Sequence, residues 1–137
     1  MTGCIFIQHY PRDNYVKVAI SDFGVGIPHN VHRKMPWLAD SLAIKKATEA
    51  GFTTKTTPKN RGAGLDTLLY NVVKNNKGSV YIHSNQGILE CTYDNDLEEI
   101  MMLPRDYQGY YPGTLLDIVF RTDTIEDIEF FEEEFTW

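Results

Sequence analysis

The sequence predicts an α+β domain built as a two-layer α/β sandwich, in which helices cover one face of an antiparallel-dominated mixed sheet. Several short segments alternate apolar and polar residues as half-buried strands do, and one segment carries apolar residues at helical spacing. Glycine, proline and asparagine separate these segments as turns. The 137 residues, 42% of them apolar and 23% charged, suit one globular domain and exclude a disordered, collagen-like or disulfide-rich chain.

The first two predicted strands form a β-hairpin. Residues 4–9 and 15–22 alternate or run apolar, and the turn-forming residues 11–14 lie between them. The second strand ends at residues 23–28, where two glycines and a proline follow one another closely.

The second half of the chain predicts further strands. Residues 79–84 and 88–93 read as two strands joined by a short turn at residues 85–87, Asn-Gln-Gly. Residues 98–103 predict a further short strand, and residues 113–121, rich in β-formers, predict a last strong one.

Two helices are predicted between these groups of strands. Residues 40–50 form the first, with Gly51 as its stop signal. Residues 65–75 form the second and strongest, because one apolar stripe recurs at helical spacing: Leu65, Leu68, Leu69, Val72 and Val73. Residues 52–64 are polar, basic and without periodicity, which predicts a mobile loop.

The charge distribution separates a domain, residues 1–122, from an acidic aromatic tail, residues 123–137. The net charge of −6 comes from the tail, which has seven acids and no base, against 12 acids and 13 bases before it. Without a basic stripe, nucleic acid is not expected as a partner. The tail has apolar residues at roughly helical spacing, so it is either a docked amphipathic helix or a segment awaiting a partner: Ile125, Ile128, Phe131 and Phe135.

A cytoplasmic location is expected. No apolar run approaches the roughly 20 residues of a membrane span, and the first residues do not form a signal peptide. Cys4 and Cys91 lack metal-ligand spacing and are expected to be reduced thiols.

Three glycine-centred features follow one another in a fixed order. The first lies at the end of a predicted strand and reads D-F-G-V-G-I-P, residues 22–28. The second begins the strongest predicted helix and reads R-G-A-G-L, residues 61–65. The third begins the last predicted strand and reads P-G-T, residues 112–114. Two glycines at a helix start leave unpaired backbone N–H groups at its positive end, which suits phosphate. Lys55 and Lys59 add positive charge ahead of that helix. Together these features indicate a nucleotide pocket.

This order of motifs, D-x-G-x-G, then R-G-x-G-L, then G-T in a strand, resembles the histidine-kinase-like ATPase family shared by gyrase, heat-shock chaperone, histidine kinases and MutL. The resemblance covers residues 4–120 and implies a Bergerat-type ATP-binding fold. It implies that Asp22 hydrogen-bonds the adenine amino group, with the Thr114 hydroxyl beside it. It also implies that Gly24, Gly26 and Ile27 form the first glycine box against the base.

The resemblance further implies that the second glycine box meets the phosphates through Gly62, Ala63, Gly64 and Leu65. Residues 29–60 correspond to a lid over bound ATP, and Lys55 and Arg61 are expected phosphate contacts inside or beside it.

The family also has a helix before the hairpin that this chain lacks, and its asparagine holds Mg²⁺. The fold is therefore expected to be N-terminally incomplete, with the Mg²⁺ ligand upstream, the catalytic residue unknown and this chain inactive alone. The implied function is the ATP-binding part of a kinase (a transferase in two-component signal transduction) or of a related ATPase. It would bind ATP or ADP and work with an upstream domain or a protein partner. The alternative is a non-catalytic nucleotide-sensing module or pseudo-kinase.

Each of these residues has a plainer interpretation. Asp22 can simply cap the glycine turn, and Gly62 and Gly64 can simply begin a helix. The basic residues of the loop can be a solvated face. His29 and His32 have a spacing that a metal can use, but solvated loop histidines are the favoured interpretation.

Overall fold

A computed structural model describes residues 3–49, 52 and 64–124 of the chain. Its strands are β1 (Gly3–Tyr10), β2 (Tyr15–Asp22), β3 (Ser79–Asp94) and β4 (Glu99–Arg121). Its helices are α1 (Ile27–His32), α2 (Asp40–Ala47) and α3 (Gly64–Leu69), and a π-helical segment (Tyr70–Asn75) continues α3 directly.

The four strands form one sheet in the order β1-β2-β4-β3, and every described pairing in it is antiparallel. The predicted hairpin of β1 and β2 is confirmed, with Tyr10 and Tyr15 stacked at its turn, their ring centroids 4.6 Å apart. The second hairpin, β3 and β4, places β4 in the middle of the sheet beside β2. The predicted α+β architecture is therefore present.

The predicted turn at residues 85–87 is wrong, because β3 runs through it without reversing. The backbone of Asn85 is left-handed, with φ of 53°, and the register with β4 shifts on both sides of this residue. Buried positions fall on even residue numbers up to Ser84 and on odd numbers from Asn85 onward. Asn85 and Gly87 therefore make a β-bulge, which uses the same residue types as a turn.

Gly87 is needed at this bulge for a second reason. A Cβ atom there would lie 2.7 Å from the backbone carbonyl carbon of Asp40 and from the backbone nitrogen of Ser41, at the start of α2. Only glycine lets the strand and the helix backbone approach this closely.

The two strands predicted at residues 98–103 and 113–121 are one strand, β4. Residues 107–110 of β4 lie between the partners of Gly87 and Asn85, where β3 has only Gln86. The proline and glycines in this part of the sequence mark the irregular part of a continuous strand, and the prediction of separate strands was wrong there.

The helices cover β3 and β4, as the prediction of helices on one face requires. The predicted helices at residues 40–50 and 65–75 correspond to α2 and to α3 with its π-helical segment. Asp106 of β4 holds the start of α2, accepting hydrogen bonds from the Ser41 backbone N–H at 2.9 Å and the Ser41 hydroxyl at 2.6 Å. One buried cluster joins the layers: Ile44, Leu69, Val72, Val73, Val80, Ile82, Leu89, Cys91 and Ile118.

Part of the predicted lid belongs to this core. Ile44 and Ala43 of α2 are fully buried, so this stretch of residues 29–60 packs as a structural helix in the described conformation. Residues 50, 51 and 53–63, which include the end of the predicted lid and nearly all of the predicted mobile loop, lie outside the described residues. Within residues 3–49, 52 and 64–124, every helix is too short or too polar to cross a lipid bilayer.

Candidate functional site

The sheet brings Asp22 and Thr114 together. Asp22 ends β2, Thr114 lies on β4, and the two are direct cross-strand partners. Thr114 is also the partner of Ser84 on β3. Directly opposed residues on neighbouring strands point to the same face, with Cβ atoms roughly 5 Å apart. Three polar side chains therefore form a row across three strands at one end of the sheet.

Ser84 is the centre of the hydrogen bonds in this row, and its side chain is fully buried. Its hydroxyl donates to the carbonyl oxygen of Gly113 at 2.6 Å and accepts from the backbone N–H of Ile27 at 2.9 Å. It lies 3.0 Å from the hydroxyl of Thr114. Ser84 thus ties the start of α1 to β4.

These contacts fix the direction of the bond between Ser84 and Thr114. A serine hydroxyl has one hydrogen to donate and two lone pairs to accept. Since Ser84 gives its hydrogen to the Gly113 carbonyl, Thr114 is the donor to Ser84. The Thr114 oxygen therefore presents only acceptor lone pairs to the surrounding site.

The Asp22 carboxylate also caps the glycine turn that follows it. Its Oδ1 accepts the backbone N–H of Gly24 at 2.9 Å, which is an Asx turn. Within the described part of the chain the second oxygen, Oδ2, has no hydrogen-bond partner, and the residue is half-buried. The capping role and a ligand-binding role use different oxygens and are compatible.

Two glycines bring the backbone close to this row. Gly26 has φ of +92°, and a Cβ atom there would lie 2.5 Å from the Oδ1 atom of Asn85. Gly113 has φ of +84°, and a Cβ atom there would lie 2.9 Å from the carbonyl carbon of Asp22. Both positions have a positive φ that disfavours a side chain, so Gly113 allows the close approach to Asp22 and Gly26 the close approach to Asn85.

The opposite face of the same strands carries an aromatic cluster. His83 meets Tyr107 through a ring nitrogen and the phenol hydroxyl, and Tyr111 meets the hydroxyl of Ser21 in the same way. The rings of His83 and Tyr111 have centroids 5.2 Å apart. This cluster connects the irregular part of β4 to β2 and β3 on the face opposite to Asp22 and Thr114.

Burial lowers the pKa of His83 below its usual value of 6.5, because desolvation disfavours the charged ring. The unfolded chain then binds the proton more readily than the folded one, so the free energy of unfolding falls as pH drops below about 6.5.

We expect His83→Gln to make the free energy of unfolding less dependent on pH, as measured by urea unfolding between pH 8 and pH 5. His29→Gln, at an exposed histidine of α1, is the control; equal slopes in all three proteins would contradict the prediction.

The predicted phosphate contacts are only partly described. Gly64 is the exposed first residue of α3, and Leu65 packs against the core cluster. Lys55, Arg61, Gly62 and Ala63 lie outside the described residues.

A cavity of about 460 Å³ opens beside α3, and among the described residues none of the predicted ATP contacts lines it. Its lining consists of Thr48, Asp66, Thr67, Leu69, Tyr70, Asn71, Ile100 and Met102.

Sequence reasoning missed Ser84 and Asn85. One signal was present for Ser84, since it continues the buried alternation of Val80 and Ile82 as a polar residue. A polar residue at a buried position of a strand needs partners, and here those partners build the site. The contact of Asn85 with Gly26 had no signal in the sequence.

Comparisons with known proteins show a likeness to a solved structure, but no match to a family model or to a curated protein. Among solved structures it is similar to the ATPase region of topoisomerase II from Saccharomyces cerevisiae, with 11% sequence identity and a TM-score of 0.45. The match covers 87% of this chain and 32% of that chain, so this chain spans about a third of that structure's length. These comparisons assign no family to the chain.

Proposed function

We propose that this chain is the ATP-binding part of a histidine-kinase-like ATPase or kinase, and that Asp22 and Thr114 hold adenine. The observation that carries the proposal is the pairing of two hydrogen-bond acceptors, Asp22 Oδ2 and Thr114 Oγ1, at one end of the sheet. Two neighbouring acceptors recognise a group that donates two hydrogens. The amino group of adenine is such a group.

The same pair discriminates against guanine. Guanine carries an acceptor oxygen where adenine carries its amino group. An acceptor facing two acceptors leaves buried polar groups unpaired, which costs about 1–3 kcal/mol for each group. We therefore propose specificity for ATP and ADP over GTP.

The phosphate half of the proposal comes from the sequence around α3. Gly62 precedes, and Gly64 begins, a helical stretch that the π-helical segment extends to Asn75. Backbone N–H groups at such a start bind phosphate, and Lys55 and Arg61 supply positive charge. When bound, Mg²⁺ would neutralise the phosphate oxygens, with its protein ligand supplied from upstream of the hairpin.

A thermal-shift titration with ATP, ADP and GTP, with and without Mg²⁺, tests the adenine site. Ligand at a hundredfold excess over its Kd adds about 2.7 kcal/mol, a rise of several degrees in Tm for a domain of this size. We expect the rise with ATP and ADP and not with GTP. In Asp22→Asn we expect it to be lost, because the amide keeps the cap to Gly24 but replaces the free acceptor with a donor.

Asp117→Asn is the matched control, since Asp117 lies on β4 with its side chain on the opposite face, paired with Lys17 at 3.2 Å. It should keep the full nucleotide response. A rise with GTP equal to that with ATP, or an unchanged ATP response in Asp22→Asn, would overturn the adenine site.

Assays of turnover on the unaltered chain and on Asp22→Asn distinguish a kinase or ATPase from a nucleotide-sensing module. Mg²⁺-dependent turnover that is lost in Asp22→Asn would assign catalysis to this chain. Nucleotide binding without turnover would favour the nucleotide-sensing module or pseudo-kinase.

A further inference from the structure

We propose that residues 125–137 of the acidic tail dock as an amphipathic helix on the helix-side face of the β1–β2 hairpin. The hairpin face is the surface formed by Ile5 and Ile7 of β1 with Val18 and Ile20 of β2.

The hairpin face continues the core out to the edge of the sheet. Ile5 is the cross-strand partner of Ile20, and Ile7 is the partner of Val18, so the four side chains share one face. Val18 and Ile20 pack against the buried core cluster. Ile5 and Ile7, in contrast, are 67% and 64% exposed. The apolar row is thus partly buried on β2 and exposed on β1.

The described helices leave this face open. α2 packs on β3 and β4, α1 lies against α2 and β3, and the π-helical segment covers β3 and β4. Every residue of β1 from Gly3 to His9 is exposed within the described part of the chain. An open apolar surface continuous with the core favours a partner that covers it.

The chain leaves β4 beside this face, on the helix side of the sheet. Thr124 donates its hydroxyl hydrogen to the carbonyl oxygen of Asn76 at 2.7 Å, and Asn76 directly follows the π-helical segment. The backbone N–H of Thr122 donates to the carbonyl oxygen of Asn14 at 2.8 Å, in the turn between β1 and β2. The last described residues, 122–124, therefore contact both the turn end of the hairpin and the end of the π-helical segment.

The length and pattern of the tail fit this surface. As a helix, residues 125–137 span about 20 Å at 1.5 Å per residue, and β1 is about 23 Å from end to end at 3.3 Å per residue. A stripe of apolar side chains would face the sheet: Ile125, Ile128, Phe131 and Phe135. Most of the tail's acids would face water. A tethered segment has an effective concentration near millimolar, which favours it over a second copy of the chain.

Hydrogen exchange of the amides of residues 126–137 in the full chain tests the docking. An isolated helix this short is marginal in water, so protection of these amides requires docking. We expect exchange at least tenfold slower than in a synthetic peptide of residues 125–137. Ile7→Glu places a charge on the hairpin face and should return exchange to the rate of the peptide.

Phe6→Glu is the matched control, because Phe6 is the neighbouring residue, is 57% exposed and lies on the opposite face of β1. It should leave the protection unchanged. Phe131→Glu changes the tail without touching the sheet and should abolish the protection even if Ile7→Glu does not fold. Exchange at the peptide rate in the unaltered chain, or protection lost equally in Phe6→Glu, would overturn the proposal. Protection that disappears when the protein is diluted a hundredfold would also overturn the proposal, because it would show that the tail docks on a second copy of the chain.

Discussion

Gly113→Ala is expected to lower the free energy of unfolding by about 4 kcal/mol. An L-residue other than glycine at the observed φ of +84° costs roughly 1–2 kcal/mol. The new Cβ atom would also lie 2.9 Å from both the carbonyl carbon and the Oδ1 atom of Asp22. Because the obstacle includes backbone of the neighbouring strand, β2 and β4 must separate locally, and overpacking of this kind costs about 1–3 kcal/mol more. Urea denaturation at neutral pH measures the loss.

Gly64→Ala is the matched control for this prediction. A Cβ atom at Gly64 meets nothing within 4 Å, and the residue begins a helix. Alanine is the better helix former by about 1 kcal/mol, so this variant should keep or slightly raise stability. A stability loss below about 1 kcal/mol in Gly113→Ala would show that the strands accommodate the side chain and would remove the proposed constraint on Asp22.

Ser84→Ala is expected to lower the free energy of unfolding by about 3 kcal/mol and to weaken nucleotide binding. The substitution leaves the N–H of Ile27 and the carbonyl of Gly113 without their partner, at about 1–3 kcal/mol for each buried group. It also frees the Thr114 hydroxyl to turn its hydrogen toward the site. The acceptor pair that we propose holds adenine is then no longer fixed.

Ser79→Ala is the matched control for Ser84→Ala, since Ser79 lies on the same strand and its hydroxyl makes no hydrogen bond within the described residues. Its unfolding curve should match that of the unaltered protein to within about 0.5 kcal/mol. Adenine nucleotides should raise its Tm fully, but should raise that of Ser84→Ala by less. Equal nucleotide responses in the two serine variants would contradict a role for Ser84 in fixing Thr114.

Local patterns in the sequence predicted most of the elements. The hairpin of β1 and β2 follows from alternation around a polar turn, and α3 with its π-helical segment follows from the apolar stripe that begins at Leu65. Both signals are contained in short stretches of chain, where spacing alone decides which side chains share a face.

The errors occurred where contacts distant in sequence decide the structure. Residues 85–87 have turn composition, yet β4 pairs with the chain on both sides of them, and the start of α2 occupies the space beside Gly87. Composition cannot distinguish a bulge from a hairpin turn, because left-handed asparagine and glycine serve both.

For the candidate site, the sequence predicted that Asp22 and Thr114 act together only through a family resemblance. Their register across β2 and β4 is a property of the folded sheet. Ser84 was missed because its partners, Ile27 and Gly113, come from other elements. The predicted roles of Lys55 and Arg61 stay predictions.

The pairing of β2 with β4 has a consequence for the order of folding. Each hairpin closes a short loop, but Asp22 and Thr114 are separated by most of the chain, and contacts of that range form slowly because loop closure precedes any gain. A ligand held by both residues finds no site in either hairpin alone. Such a ligand would act after the rate-limiting step, slowing the unfolding of the finished domain without accelerating its assembly.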